Sequence, residues 1–432
     1  MKKMILFVAA WCCLSMHAQK KWTLDECISY AMEHNVTLKL SKTKQQSAQE
    51  EVEQSKAALF PTLSANTNQG VGYSPWGNTS ADKAYYNGSY GVNAQWTVWN
   101  GSQNTNAVKQ NKLTAEQAEL STNTTANSLQ EQITQLYVQI LYMTEAIEVN
   151  RQSLETSKKN EERGQQMVEV GKMSKADLAQ LTAQRAASEY SIVEAETQLA
   201  KYKLQLKQVM DMDGGTDFDV AVPATSDQQA LAEIPSLTSV FEAAMTQRPE
   251  IKSALIGIES SKLQMKIAKA GSLPTVTMNG GVGTSTNSMS SLAWGTQMKN
   301  NVDLTASIGV SVPIFDGRRT KTNVNKARIA QEQAQLNLED EEHELYSTIE
   351  GLWLDAINNQ QKFRSAAASV ESEQVSYDLL SEQFNLGLKN IVELMTGKDK
   401  LLTAQQNKLQ SKYTTILSQQ LLKFYQNGTI KI

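Results

Sequence analysis

The chain has 432 residues, 40% of them apolar and 20% charged, with 41 basic and 45 acidic side chains and only seven prolines. This mildly acidic balance weighs against nucleic acid as a partner. Beyond the first 18 residues no apolar run reaches the ~18 residues that a membrane-crossing helix needs.

Residues 1–18 have the layout of a secretory signal peptide: Lys2-Lys3, an apolar run from Met4 to Leu14 and a short end closing at Ala18. Its removal leaves 39 basic against 45 acidic side chains and Cys27 as the only cysteine, which excludes an intramolecular disulfide. A first helix is predicted over Leu24 to Leu59, where Leu24, Cys27, Ile28 and Ala31 form one stripe and make Cys27 a buried packing residue. Pro61 stops it and hands over to extended chain.

The period then changes from 3.6 to 2. Strands are predicted at Thr62–Tyr73 and Tyr86–Trp99, the latter alternating Tyr90, Val92, Ala94, Trp96 and Val98 with Ser89, Asn93, Gln95 and Thr97. From Gly101 to Gly171 there follow 70 residues without proline. As one helix this is a rod of about 105 Å, longer than a compact core can use. A returning helix spans about Lys175 to Asp211.

The chain then repeats itself. Residues 24–61 align with 237–274 at an offset of 213, and after a loop of different length Val98-Trp99-Asn100-Gly101 falls on Ile314-Phe315-Asp316-Gly317 at an offset of 216. The second copy therefore has a helix over 237–272, strands at Thr275–Thr284 and Val302–Phe315, a rod from Gly317 to Gly387 and a returning helix over about Ile391–Asn427. The domain reading is a signal peptide at 1–18, a first repeat at 19–211, an equatorial linker at 212–236 and a second repeat at 237–432. The linker, residues 19–23 and the C-terminal 429–432 are expected to form a small mixed belt.

An alternating strand fits a soluble antiparallel sheet as well as a membrane barrel. The exported chain, four such segments of bilayer-crossing length and aromatics at their ends (Tyr73, Trp76, Tyr86, Trp99, Phe315) favour the barrel, with 74–84 and 285–301 as external loops. Four strands cannot close, and an open edge in lipid leaves unpaired amides and carbonyls, so other copies must complete the barrel. The fold class is thus mainly α with membrane β: a long helical coiled-coil barrel continuing into a transmembrane β-barrel shared between protomers. The other architecture open to these helices is a periplasmic coiled-coil scaffold.

The order of elements, the duplication and the reversal segments Met167-Val168-Glu169-Val170-Gly171-Lys172-Met173-Ser174-Lys175-Ala176-Asp177-Leu178 and Glu382-Gln383-Phe384-Asn385-Leu386-Gly387-Leu388-Lys389-Asn390-Ile391-Val392-Glu393-Leu394 resemble the outer-membrane efflux proteins of the TolC family. The resemblance implies a homotrimer with a 12-stranded barrel among outer-membrane lipid and a tunnel through the periplasm. Its tips would meet a periplasmic adaptor protein and an inner-membrane transporter. The implied function is a passive exit duct for small molecules such as drugs, with the exit channel of a type I protein secretion system as the alternative. Residue by residue, Val170, Gly171 and Lys172 with Leu386, Gly387 and Leu388 fall on the adaptor-docking turns, Lys172 replacing a leucine. Asp177, Phe384, Lys389 and Glu393 fall on the periplasmic gate. Ala176 and Phe384 stand where the family prototype has hydroxyls, which leaves an Asp177–Lys389 pair as the remaining link. Glu393 falls on the first acidic ring of the constriction and Thr396 replaces the second.

No enzyme is predicted. His34 and His343 are far apart, Glu341-Glu342-His343-Glu344 reads as a solvated helical run, and Gly280-Gly281-Val282-Gly283 has no following Gly-Lys-Ser/Thr and belongs to a strand. No cofactor or metal site is expected.

Overall fold

The computed structural model describes residues 21–73, 76, 84–215, 217–223 and 227–430, so the signal-peptide reading and most of the 74–84 loop lie outside the described residues. The chain forms two compact units, one made of the described residues of 21–40, 123–248 and 342–430, the other of those of 41–122 and 249–341. Among the described residues no helix is long and apolar enough to cross a membrane, and no group of three His, Cys, Asp or Glu side chains could hold a metal ion.

In the first unit, β1 (Lys21–Trp22) leads into α1 (Leu24–His34), which Thr23 and Glu26 start with a reciprocal capping box. The predicted single helix is broken at Asn35, before α2 (Val36–Ala57). Asn35 leaves helical geometry, its Oδ1 accepts from the Leu38 amide at 2.9 Å, and its Nδ2 donates to the Val209 carbonyl at 2.8 Å. The second copy breaks at the aligned residue, Arg248, between α6 (Leu237–Gln247) and α7 (Pro249–Ala270). There Pro249 pushes its predecessor out of the helical region. One architecture is thus reached through two chemistries.

The two rods are as long as the glycine spacing predicts: α3 (Gln103–Glu169) and α9 (Arg319–Asn385) have 67 residues each. Their partners α4 (Lys175–Val209) and α10 (Ile391–Asn427) return as predicted. The core of this unit packs Ile133, Tyr137, Ile140 and Leu141 of α3 against Cys27, Ala31 and Leu38, with Leu206, Met210 and Phe424 closing it. Cys27 is fully buried there, as its position in the stripe predicts.

Described residues of the linker and of the two chain ends meet in this core. β1 pairs in parallel with β4 (Asp219–Val220), a short α5 (Asp227–Ala230) follows, and Trp22, Phe218, Val220 and Ile430 join the same core. Tyr137 Oη donates to the Ala221 carbonyl at 2.6 Å. Burial pushes its phenol up to about 12, so the donor stays protonated.

In the second unit, β2 (Thr62–Tyr73), β3 (Ala84–Trp99), β5 (Thr275–Asn287) and β6 (Asp303–Ser311) form one antiparallel sheet in the order β2-β3-β5-β6. The two repeats meet through the central β3–β5 pair. The last strand is shorter than predicted, since the ladder ends at Ser311 and Pro313 has no amide to give it. The 285–301 segment, predicted as loop, holds the short α8 (Trp294–Asn300). Alternation separates the faces. Leu63, Val92, Met278, Val282, Leu304 and Ile308 share the apolar face, with Leu304 and Ile308 78% and 71% exposed. Asn66, Asn93, Gln95, Asn279 and Thr305 share the polar face, where Asn93 Nδ2 donates to Asn66 Oδ1 at 2.6 Å. The sheet is open at the outer edges of β2 and β6.

Between strand and rod, Gly101 and Gly317 have φ of 68° and 63°, and Ser102 and Arg318 follow at 66° and 72°. A side-chain-bearing residue in the left-handed region costs about 1–2 kcal/mol. Its recurrence at aligned positions marks a shared junction that composition does not reveal.

Candidate functional site: the two helical turns

Both turns lie in the first unit and are built alike. At the first, the Lys172 amide donates to the Met167 carbonyl at 2.8 Å and the Gly171 amide to Val168 at 3.1 Å. At the second, Leu388 donates to Gln383 at 2.9 Å and Gly387 to Phe384 at 3.0 Å. This is the Schellman pattern, which requires a left-handed residue, and Gly171 and Gly387 have φ of 71° and 75°. Nothing lies within 4 Å of where a Cβ would stand on either, so backbone conformation alone selects glycine.

The helices resume at once. Ser174 Oγ accepts from the Asp177 amide, and Asn390 forms a capping box with Glu393. What remains at the surface is an apolar tip: Val170, Leu386 and Leu388 are 68%, 75% and 71% exposed, beside the exposed Lys172.

The residues assigned to a gate are distributed differently from the sequence expectation. Lys389 Nζ pairs with Glu393 Oε1 at 2.6 Å, four residues on along the same helix end, while Asp177 Oδ2 accepts from Ser174 Oγ at 2.8 Å. The Asp177–Lys389 link does not form within the chain, because each group is taken by its own helix cap. The Lys389 hydrogen bond, with the Asn390 amide, holds the Glu393 carboxyl below the ordinary range. Phe384 is buried, packed with Leu181, Tyr377, Ile391, Leu394 and Leu401. It is a core residue of the tip, where no polar link through its ring is available.

Polar links between the hairpins lie further from the turns. Asn160 of α3 donates to Tyr377 Oη of α9 at 3.3 Å, and Gln184 of α4 donates to Asp399 of α10 at 2.9 Å. Lys398 of α10, 4% exposed, donates to Ser157 Oγ of α3 and to Ser188 Oγ of α4, the latter at 3.2 Å, and burial lowers its pKa. Sequence reasoning missed these links. One signal was available: Lys398 sits between Gly397 and Leu401 on a stripe that includes Leu394, where an ammonium is out of place. Close approach is also encoded, in opposite senses. A Cβ on Gly164 of α3 would collide with Leu181 Cδ1 of α4, and one on Gly397 of α10 would stand 2.7 Å from Leu380 Cδ1 of α9. Gly164 aligns with Leu380 and Leu181 with Gly397 at the 216 offset, so the knob and the hole exchange helices between the copies.

Comparison with known proteins agrees with this organisation. Outer membrane protein TolC of Vibrio cholerae serotype O1 is 23% identical over 422 residues, covering 97% of this chain and 94% of that one. Outer membrane efflux protein BepC of Brucella suis biovar 1 is 19% identical over 398 residues, covering 92% and 83%. The crystal structure of CusC superposes with a TM-score of 0.82 at 16% identity, over 94% of this chain and 95% of that one. The outer membrane efflux protein family model matches residues 27–211 and again 240–428, one match in each repeat. The chain belongs to the outer membrane efflux protein family, a family of outer-membrane channels that extend into the periplasm and are not enzymes.

Proposed function

We propose that the protein is a homotrimeric, passive exit duct for small molecules, joined at its periplasmic tips to an adaptor protein and through it to an inner-membrane transporter that supplies the energy. The observation that carries this reading is the four-stranded sheet, apolar on one face, polar on the other and open at both edges. An open edge in lipid costs several kcal/mol for each unpaired group, so the edges of β2 and β6 must pair with other copies. Three copies supply 12 strands, enough to leave a water-filled lumen lined by the asparagine, serine and threonine face, whereas eight strands fill with side chains.

The apolar turns at Val170, Gly171, Leu386, Gly387 and Leu388, with Lys172 beside them, are the surface offered to the adaptor. Exposed Leu and Val at a helix reversal have no packing role within the chain, and the cationic Lys172 asks for an acidic complement on that partner. Glu393, held ionised by Lys389, is the acidic group offered to the lumen near the tips, with Asp177 and the buried Phe384 completing the gate region. Light scattering of the detergent-solubilised protein tests the assembly: the account expects the protein mass of three chains, and a stable monomer or dimer contradicts it. In a strain lacking its own exit channel, the reading expects restored resistance to effluxed drugs; restored export of a secreted protein in its place would assign the duct to secretion.

A further inference from the structure

The β5–β6 connection is built in a way that a flexible surface loop does not need. Gln297 of α8, 5% exposed, donates from Nε2 to the Leu292 carbonyl at 2.7 Å and accepts at Oε1 from the Asn287 amide at 2.8 Å. Thr284 Oγ1 donates to the Met298 carbonyl at 2.9 Å, and Asn301 Nδ2 to the Ser285 carbonyl at 2.6 Å. The connection begins with the Ser288 amide donating to Tyr86, and the Trp294 ring stands edge-on to Tyr90 at 6.3 Å and 90°. These bonds fix α8 across β5 and β3, the two middle strands of the sheet.

The face it occupies is decisive. Tyr90 and Thr284 are register partners, and two residues along lie Val92 and Val282, so α8 sits on the apolar face that continues to Met278 and Ile308. That face is the lipid face of the barrel reading. Partner copies would pair at β2 and β6, so they would leave the middle of the sheet, and α8 on it, uncovered. Yet α8 and the segment before it present Met289, Leu292 and Trp294 at 56%, 47% and 55% exposure, with the exposed Lys299 at the other end of the helix. A tryptophan beside aliphatic side chains and a lysine, at the end of an apolar band, is the composition that settles at a membrane–water boundary.

We propose that α8 and the segment before it form a built-in interfacial anchor: Met289, Leu292 and Trp294 enter the outer leaflet at the boundary between headgroups and acyl chains, and Lys299 faces anionic headgroups. The inference rests on the membrane reading of the sheet, and the test separates the two. Trp294→Cys and Leu292→Cys are labelled with an environment-sensitive fluorophore, beside Ile308→Cys in the apolar band and Gly214→Cys in an exposed turn; Cys27 is fully buried and does not compete. The proteins are reconstituted in phosphatidylcholine–phosphatidylglycerol vesicles carrying a nitroxide either near the headgroup or deep in the acyl chain, and iodide probes water access.

Labels at 292 and 294 are expected to be quenched more by the shallow nitroxide than by the deep one, and to be at least about five-fold less open to iodide than the label at 214, since the boundary excludes hydrated anions. The label at 308 should respond to the deep nitroxide. If 292 and 294 are as open to iodide as 214 while 308 is quenched from the lipid, the anchor is overturned and the barrel stands. Stronger deep than shallow quenching at 292 and 294 overturns the interfacial placement. If 308 is not quenched from the lipid, the membrane reading of the sheet fails and takes the anchor with it.

Discussion

Replacing Lys398 by methionine should stabilise the joint between the hairpins. An ammonium 4% exposed, with two serine hydroxyls for partners, carries a desolvation cost of several kcal/mol. Two charge-assisted hydrogen bonds return roughly 1.5–3 kcal/mol each, and methionine fills a similar volume without either contribution. Replacing buried charged groups by well-packed apolar ones of similar volume commonly stabilises by about 1–4 kcal/mol, and a gain of about 1–3 kcal/mol would appear as roughly 5- to 150-fold slower exchange of the amides around residues 391–401 at neutral pH. Burial lowers the lysine pKa in the folded state while the unfolded value stays near 10.4, so between the two the unfolded chain holds more protons. Local stability of the wild-type joint should therefore rise with pH across that interval and be flat below it, and the Met variant should lose the rise. Hydrogen exchange followed by mass spectrometry, expressed as protection factors from neutral pH to about pH 10.5, measures both. Equal or faster exchange in the Met variant at neutral pH would refute the reasoning, because the ammonium would then be a net stabiliser.

Gly171→Ala and Gly387→Ala should each destabilise their turn by about 1–2 kcal/mol through the local left-handed strain alone, since nothing beyond the flanking residues meets the added Cβ, read as faster amide exchange in the adjoining helix ends; unchanged exchange would show that the turns tolerate another conformation. Asn35→Ala removes a cap to Leu38 and a bond to Val209, and should lower the thermal unfolding temperature through a loss of about 1–3 kcal/mol. Glu393→Gln should reduce cation selectivity, measured as reversal potential across planar bilayers under a salt gradient. Because Lys389 lowers the Glu393 pKa, selectivity of the wild type should survive to lower pH than that of Lys389→Met; coincident titrations would remove Lys389 from the effect.

The elements legible in the sequence are those with a strong period or a hard stop. Equal glycine spacing predicts both rods and their turns, Pro61 and Pro274 end helices, and two-residue alternation assigns the strand faces that the register bears out. Features set by side-chain partners were not legible. Asn35 breaks a helix through two hydrogen bonds that exist only once Leu38 and Val209 are in place, and α8 depends on Gln297 reaching Asn287. At the turns, spacing located Gly171 and Gly387, but the family resemblance suggested an Asp177–Lys389 link that does not form within the chain. Asp177 and Lys389 are opposite charges in helix-capping neighbourhoods, and local partners three or four residues away satisfied them first. Phe384 shows the same limit, since a side chain aligned with a polar link became part of an apolar core.

The central claim, a water-filled duct made by several copies of this chain, is tested most directly by conductance. Purified protein added to planar lipid bilayers should require detergent for extraction and insert as discrete, long-lived current steps, with the step size changed by a bulky label on the polar strand face at Asn93 and unchanged by the same label on the apolar face at Ile308. Protein that leaves membranes with alkali alone and gives no current steps would contradict it.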